Sequence, residues 1–287
     1  MIGSTGGSRA TRIVMRSTTM ALLLLSLGGI RSQVGAQEAE AQAHTAQTSW
    51  FRVGSWRTWV FRSFMRDEGD DAGTLGLELE SYLTFGNTQI KNIAYLEVAD
   101  HPRAIPGQPQ GNPVPEPGAA TGISDLLTGF WFSKKGEHHG KHHFAPGLAA
   151  QFPTASDATL GSGKWSLGPS FDYEYESGSL FAGAIALQIW SVGGDPDRAD
   201  VSMLMIKPFV YYALSEHWDL MYVPYGISVY WNKPTGEKAY VPIGGGAQWK
   251  THLGSLDMNL GLQLFNNVIR PEKGTVWDLR LLVEIAF

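Results

Sequence analysis

Four histidines stand close together in the stretch EHHGKHH, namely His138, His139, His142 and His143. Clustered imidazoles can bind Zn²⁺, Ni²⁺ or Cu²⁺, so this stretch is a candidate metal site. A metal site needs ligands that further contacts hold in place, and a turn around Gly140 offers little rigidity. We therefore expect a polar turn here, and the sequence predicts no cofactor.

Three aspartates, Asp195, Asp197 and Asp200, lie in the stretch GGDPDRADVS. Oxygen ligands at such spacing can hold Ca²⁺, but the glycine and the closing glutamate of a calcium loop are missing. Asp side chains also favour turns, so we expect a solvated loop. The acidic stretch 67–71 has the same interpretation.

A catalytic constellation is not evident. Ser, His and acidic residues are present, and Glu216 and His217 could form a base with its partner, but no G-x-S-x-G motif marks a nucleophile. The chain has no Cys, which excludes thiolate chemistry and disulfides. The sequence therefore does not predict an enzyme.

Polar side chains alternate with apolar ones over long stretches. In VWDLRLLVEIAF, Trp277, Leu279 and Leu281 share one face, whereas Asp278 and Arg280 lie on the other. Successive side chains of a strand point to opposite faces, so these segments are strands with one apolar and one polar side. The polar members are candidates for lining an interior: Glu78, Glu80, Asp172, Glu174, Gln188, Asp257, Asn259, Gln263, Asp278, Arg280 and Glu284.

Three features favour a membrane barrel over a soluble sandwich, which would alternate in the same way. Many segments are about ten residues or longer, the length that a tilted strand needs to cross a bilayer. Short links alternate with long ones along the chain. Several Trp residues, from Trp131 to Trp277, fall near segment ends, as in the aromatic girdles of membrane proteins. The sequence predicts an all-β protein, a closed antiparallel transmembrane β-barrel of about 12 strands.

The ends of the chain suggest export. Residues 1–36 combine a basic start, a short apolar run and small residues before Gln37, and they predict a cleaved signal peptide. The predicted barrel domain spans 37–287, with 37–63 as either a plug or the first strand and 100–121 as a long Pro-rich loop. The strand that ends in Phe287 resembles the signal read by the bacterial barrel-assembly machinery. We expect secretion through the inner membrane and location in the cell outer membrane.

The predicted cleavage changes the charge balance. Residues 1–36 hold four Arg and no acid, so the remainder has 22 − 4 = 18 basic against 27 acidic residues, a formal net charge of −9. Nucleic acid is therefore not an expected partner, since phosphate binding requires clustered Lys and Arg. The expected partners are outer-membrane lipid, the assembly machinery and a small-molecule substrate.

Three stretches resemble a known bacterial family: TGISDLLTGFWFSKK (121–135), FPTASDATLGSGKWSLGPS (152–170) and QIWSVGGDPDRADVS (188–202). The family is the outer-membrane transporter family labelled meta-pathway phenol degradation, some members of which carry the label neuromedin U. The resemblance covers roughly 121–287, and residues 37–120 depart from the pattern. Its motif loops contain Gly161, Gly163, Lys164, Trp165, Asp195, Asp197, Arg198 and Asp200.

The resemblance implies an outer-membrane β-barrel suspected of moving small, often aromatic, compounds. We expect a channel for passive movement of such a compound, with 37–63 or the Pro-rich loop as a plug. The excess of acids among the candidate lining residues predicts a weak preference for cations. The alternatives are an outer-membrane enzyme acting on lipid or glycan and a structural or adhesive surface barrel.

Overall fold

A computed structural model describes residues 51–64, 72–102, 119–135, 141–271 and 274–286. Some predictions lie outside these residues: the signal peptide 1–36, the segment 37–50, the acidic stretch 67–71, most of the Pro-rich loop, His138, His139 and Phe287. Among the described residues, none forms a helix that is long and apolar enough to cross a bilayer.

Every regular element in the described part of the chain is a β-strand. The strands are β1 (Phe51–Phe64), β2 (Ala72–Phe85), β3 (Thr88–Pro102), β4 (Ala119–Ile123), β5 (Leu126–Lys134), β6 (His142–Phe152), β7 (Lys164–Ser177), β8 (Leu180–Gly194), β9 (Ser202–Ala213), β10 (Trp218–Tyr222), β11 (Ile227–Tyr230), β12 (Ala239–Leu253), β13 (Leu256–Ile269) and β14 (Trp277–Ala286).

The strands form one closed antiparallel barrel. Strand β1 pairs with β2 on one side and with β14 on the other, from Ser55 opposite Ala286 to Phe64 opposite Trp277. Strands β4 and β5 both pair with β3, and β10 and β11 both pair with β9 and β12, so each couple is one interrupted barrel strand. The 14 segments therefore make 14 − 2 = 12 barrel strands, which confirms the predicted fold class.

The described part of the segment 37–63, which was predicted as either a plug or the first strand, is a strand. Residues 51–64 form β1 and complete the barrel between β2 and β14. Closure of the barrel requires a strand at this position.

The alternation of side chains separates the two faces of the wall. On β14, Leu279, Leu281 and Val283 are exposed, whereas Arg280 and Glu284 are buried in the interior. This inversion is what a bilayer requires, because lipid solvates apolar side chains and the enclosed interior holds polar ones.

Aromatic side chains mark both ends of the outer face. Six of the seven predicted girdle tryptophans are exposed on the outside: Trp165, Trp190, Trp218, Trp231, Trp249 and Trp277. Trp131 is the exception, since it is 2% exposed and its Nε1 donates to Ser170 Oγ inside the barrel. Proximity to a strand end did not reveal which face this residue occupies.

Short and long links lie at opposite ends of the barrel. Three short links turn at Gly86, Gly178 and Gly254, whose φ angles are 57°, 58° and 66°. Only glycine adopts this left-handed conformation without steric cost, which explains these tight turns. We call this the short-turn end, and it faces the periplasm in outer-membrane barrels. The other is the long-loop end.

Candidate functional site in the barrel interior

The structure places ten of the eleven candidate lining residues on the inner face of the wall. They are Glu78, Glu80, Asp172, Glu174, Asp257, Asn259, Gln263, Asp278, Arg280 and Glu284. Asp257 lies at the rim of the short-turn end, exposed and 2.8 Å from His252. Asp278 lies nearer the long-loop end, where Asn267 donates to it at 2.9 Å.

Gln188 is a correction, because it lies on the outer face of β8. It pairs with Leu204 and shares its face with the exposed Trp190. Its Oε1 accepts a hydrogen bond from Trp231 Nε1 at 2.8 Å, at the level of an aromatic girdle. Both faces of β8 are largely apolar, so a single polar residue did not mark the interior side.

Arg57 is the centre of one interior ion-pair network. Its Nε lies 2.5 Å from Glu284 Oε1, and its Nη1 lies 2.8 Å from Glu78 Oε1. The second oxygen of Glu78 lies 3.5 Å from Lys207 Nζ on β9, across the barrel. Asn259 donates to the second oxygen of Glu284 at 2.9 Å. Through Lys207, this network links strands on opposite sides of the barrel.

Lys91 is the centre of a second network. Its Nζ lies 2.8 Å from Asp172 and 2.7 Å from Glu174, both on β7. Asp172 is fully buried, and a buried carboxylate is costly unless a cation or hydrogen bonds compensate it. Nearby, the Tyr82 hydroxyl donates to Glu80 at 2.7 Å. Asp172 and Glu174 are thus held by a partner from another strand, whereas Glu80 is bound by a tyrosine of its own strand.

The opposite wall, on β8 and β9, is apolar and aromatic. The Phe181 ring lies 5.4 Å from the Phe209 ring and 6.1 Å from the Tyr211 ring, measured between centroids. Gly183 makes room for this group, because a Cβ there would come within 2.4 Å of the Phe209 ring. Ile185 extends the same face.

A cavity of about 260 Å³ lies between the two walls. It is lined by Arg57, Glu78, Glu80, Tyr82, Lys91, Ile93, Tyr95, Glu174, Phe181, Ile185, Lys207, Pro208, Phe209, Tyr211, Val223, Pro224, Tyr225 and Arg280. The lining holds four cations and three carboxylates. Asp172 and Glu284, which bind Lys91 and Arg57, bring the carboxylates to 3 + 2 = 5.

At the long-loop end, the loop 153–163 folds into the mouth of the barrel. Leu160 packs against Ala99 and Ala120, which lie on the inner faces of β3 and β4. Asp125, between β4 and β5, anchors the loop and accepts hydrogen bonds from Ser162 N and Oγ. The loop 153–163 therefore occupies part of the mouth, a position that the sequence did not predict for it.

The two family-motif loops meet at the same end. Arg198 donates to the backbone carbonyls of Ala158 and Gly161, and so joins the loop 195–201 to the loop 153–163. Lys164 Nζ lies 3.2 Å from Asp200, and this pairing, with a hydrogen bond from Ser191, lowers the pKa of the Asp200 carboxyl. Asp195 and Asp197 are exposed in a turn, with Asp197 N donating to Asp195 at 2.9 Å.

The described histidines of the EHHGKHH stretch do not converge. His142 is exposed, with Nδ1 2.8 Å from the Tyr173 hydroxyl, whereas His143 is buried on the other face of β6. No group of three or more His, Cys, Asp or Glu side chains suited to a metal ion occurs in the residues that the structure describes.

Sequence reasoning identified Arg280 but missed three other basic side chains of the interior. Arg57, Lys91 and Lys207 bind the acids that the alternation had identified. A signal was present, since Lys207 stands alone in the apolar run MLMIKPFV. A single charge in such a strand must point inward, away from lipid.

No protein-family model matches the chain, and no curated protein sequence matches it. Among solved structures, it is similar to the COG4313 outer membrane channel from Pseudomonas putida F1, with a TM-score of 0.54, 12% identity and coverage of 85% of this chain and 100% of that chain. The NanC porin aligns with a TM-score of 0.48 at 11% identity, covering 80% and 98%. The P. putida toluene transporter TodX aligns with a TM-score of 0.37 at 9% identity, covering 86% and 91%.

The first of these similarities bears on the fold alone, and the other two superpose too loosely to carry an argument. Together with the closed barrel, the apolar outer face and the girdles, it establishes that the chain is a β-barrel of the outer-membrane type. The resemblance to the phenol-degradation family stays a prediction.

Proposed function

We propose that this chain is an outer-membrane channel for the passive movement of a small compound with an aromatic or other apolar body. The observation that carries the proposal is the interior cavity, which has ion-paired side chains on one wall and aromatic side chains on the other. Ligand sites combine a mostly apolar surface with a few fixed polar groups, and this cavity has both. The family resemblance of residues 121–287 supports the same class of compound.

The interior charges support transport rather than catalysis. The cavity acids are bound by Arg57 from a neighbouring strand and by Lys91 and Lys207 from across the lumen, an arrangement that fixes the shape of the lumen. Five carboxylates stand against four cations, and this excess supports the proposed weak preference for cations. Membrane insertion by the barrel-assembly machinery belongs to the same proposal.

The proposal is tested by single-channel recording in planar bilayers. The full chain would be expressed in a Gram-negative host and purified from its outer membrane. We expect discrete openings, a reversal potential that favours cations, and partial block by benzyl alcohol. A barrel that is folded yet silent would contradict the channel function.

A matched pair of variants connects the block to the aromatic wall. Phe209→Ala removes a ring from the inner face, whereas Phe171→Ala removes one from the outer face. Weaker block in the first variant and unchanged block in the second would place the solute in the cavity. Equal block in both variants would mean that the aromatic wall does not bind the solute.

A further inference from the structure

The barrel strand made of β10 and β11 is interrupted by the segment 223–226. Tyr222 pairs with Val210 on β9, and Ile227 pairs with Ile206, so the interrupted strand takes 227 − 222 = 5 steps where its neighbour takes 210 − 206 = 4. One extra residue in one strand of a pair is a β-bulge, which unpairs the ladder and redirects side chains. Here the extra length moves the segment 223–226 into the lumen, where Val223, Pro224 and Tyr225 line the cavity.

Three prolines explain why the wall opens at this level. Pro224 lies in the break, Pro208 lies opposite it on β9, and Pro242 lies beside it on β12. Proline has no N–H and cannot donate to a ladder, so three adjacent strands lose donors together. Gly226, with φ 155°, then returns the chain to the sheet.

Two side chains on other strands satisfy the backbone of the break. Val223 N donates to Gln263 Oε1 on β13 at 2.9 Å, and Arg280 Nη1 on β14 donates to the Val223 carbonyl at 3.4 Å. Both side chains are almost fully buried. The break is therefore a built feature of the barrel, since the freed N–H and carbonyl of Val223 both have partners.

Tyr225 extends from the break to the far side of the barrel. Its ring lies 6.0 Å from the Tyr95 ring on β3, in an edge-to-face arrangement. Glu97, also on β3, accepts hydrogen bonds from the hydroxyls of Tyr225 and Tyr95, the latter at 3.0 Å. Five barrel strands separate the break from β3 in either direction round the wall, so these contacts span the full diameter.

We propose that these contacts, which we call the Tyr225 clasp, form the constriction that decides which solutes pass through the barrel. The clasp borders the cavity, because both tyrosines line it. A planar aromatic solute can take the place of the Tyr225 ring against Tyr95, since edge-to-face contacts are worth about 1 kcal/mol and are not specific to tyrosine. This inference rests on the proposed channel function.

The test is the single-channel conductance of Tyr225→Ala in planar bilayers. Removal of the side chain opens the lumen at its narrowest contact, so we expect the conductance to rise by about twofold or more. The matched control is Tyr212→Ala, which removes the same side chain from the outer face of β9, where it is half exposed. The control should conduct like the unchanged chain. Heat-modifiable mobility in electrophoresis reports whether each barrel is folded.

The outcomes separate the clasp from the channel function. A larger conductance in Tyr225→Ala than in the unchanged chain supports the clasp. Equal conductance in Tyr225→Ala and Tyr212→Ala would overturn the clasp but not the channel function. If both variants fold and neither conducts, the clasp and the channel function are both overturned. If Tyr225→Ala does not fold, Tyr95→Ala removes the other half of the same contact, and a conductance that fails to rise there overturns the clasp.

Discussion

The barrel wall is interrupted twice, and the two interruptions are held in different ways. At the first, between β4 and β5, the Asp125 carboxylate accepts hydrogen bonds from Ser162 N and Oγ, Gln151 Nε2 and Ala155 N at 2.7–3.2 Å. At the second, between β10 and β11, Val223 N donates one bond to the Gln263 amide oxygen, and the Val223 carbonyl accepts one longer bond from Arg280.

The difference concerns how easily each interruption can open. Hydrogen bonds to an ionised carboxylate are roughly twice as strong as neutral ones, and several on one buried group reinforce each other. At the second interruption, the hydrogen bond from Val223 N to Gln263 is neutral, and neutral hydrogen bonds and ring contacts contribute about 1 kcal/mol each, while the bond from Arg280 is long at 3.4 Å. The first interruption therefore fixes the loop 153–163 in the mouth, whereas the second is suited to local opening.

The largest effect is expected from Asp125→Ala. The change removes one carboxylate and leaves several buried donors without their acceptor, which should lower the free energy of unfolding by about 4 kcal/mol. Urea unfolding in detergent micelles measures the loss. The control is Asp195→Ala in an exposed turn, expected to cost less than about 1 kcal/mol. Equal losses would mean that Asp125 is not a special anchor.

Both interruptions are assigned to a wall whose outer face meets lipid, and Leu260→Arg tests that assignment. Leu260 lies mid-strand between Trp249 and Val283, which are exposed on the outer face. An arginine there should cost about 2–4 kcal/mol in a lipid bilayer. Asn259→Arg, one residue away on the inner face, should be tolerated. Similar damage from both changes would invalidate the assignment of faces.

Arg198→Ala examines the loop clamp that supports the first interruption. The guanidinium donates to the carbonyls of Ala158 and Gly161, so its removal should lower the free energy of unfolding by about 1–2 kcal/mol. Arg198→Lys keeps the charge but loses the paired donors, and it should recover only part of the stability. Full recovery by lysine would show that charge alone holds the loop.

The smallest expected effect is a change in the pKa of Asp200, which lies in the loop 195–201. Lys164 lowers the pKa of the Asp200 carboxyl in the folded protein. The pairing therefore stabilises the fold at pH values above the Asp200 pKa of the unfolded chain, and this stabilisation is lost as the pH falls through the lower pKa of the folded protein. Lys164→Met should raise the Asp200 pKa toward its ordinary value, as measured by NMR titration of the carboxyl carbon. Lys233→Met, in another loop, should leave it unchanged. A pKa equal in all three proteins would contradict the pairing.

The wall could be predicted from the sequence because alternation is local. The period of two in β14 and β13 gave the faces and the strand lengths directly. The sequence did not predict the interruption at 223–226, although a proline inside a strand favours a bulge. Pairs such as Lys207 with Glu78 depend on closure of the whole barrel, which no local pattern contains.

Hydrogen exchange compares the two interruptions most directly. The chain would be placed in lipid nanodiscs, and the exchange of backbone amides would be followed by mass spectrometry in peptides that cover 122–130 and 221–229. We expect the second peptide to exchange faster, because two hydrogen bonds, one of them 3.4 Å long, hold the Val223 backbone, whereas four hydrogen bonds to the Asp125 carboxylate hold the first interruption. Equal protection, or faster exchange at 122–130, would contradict the claim that the second interruption is the one suited to open.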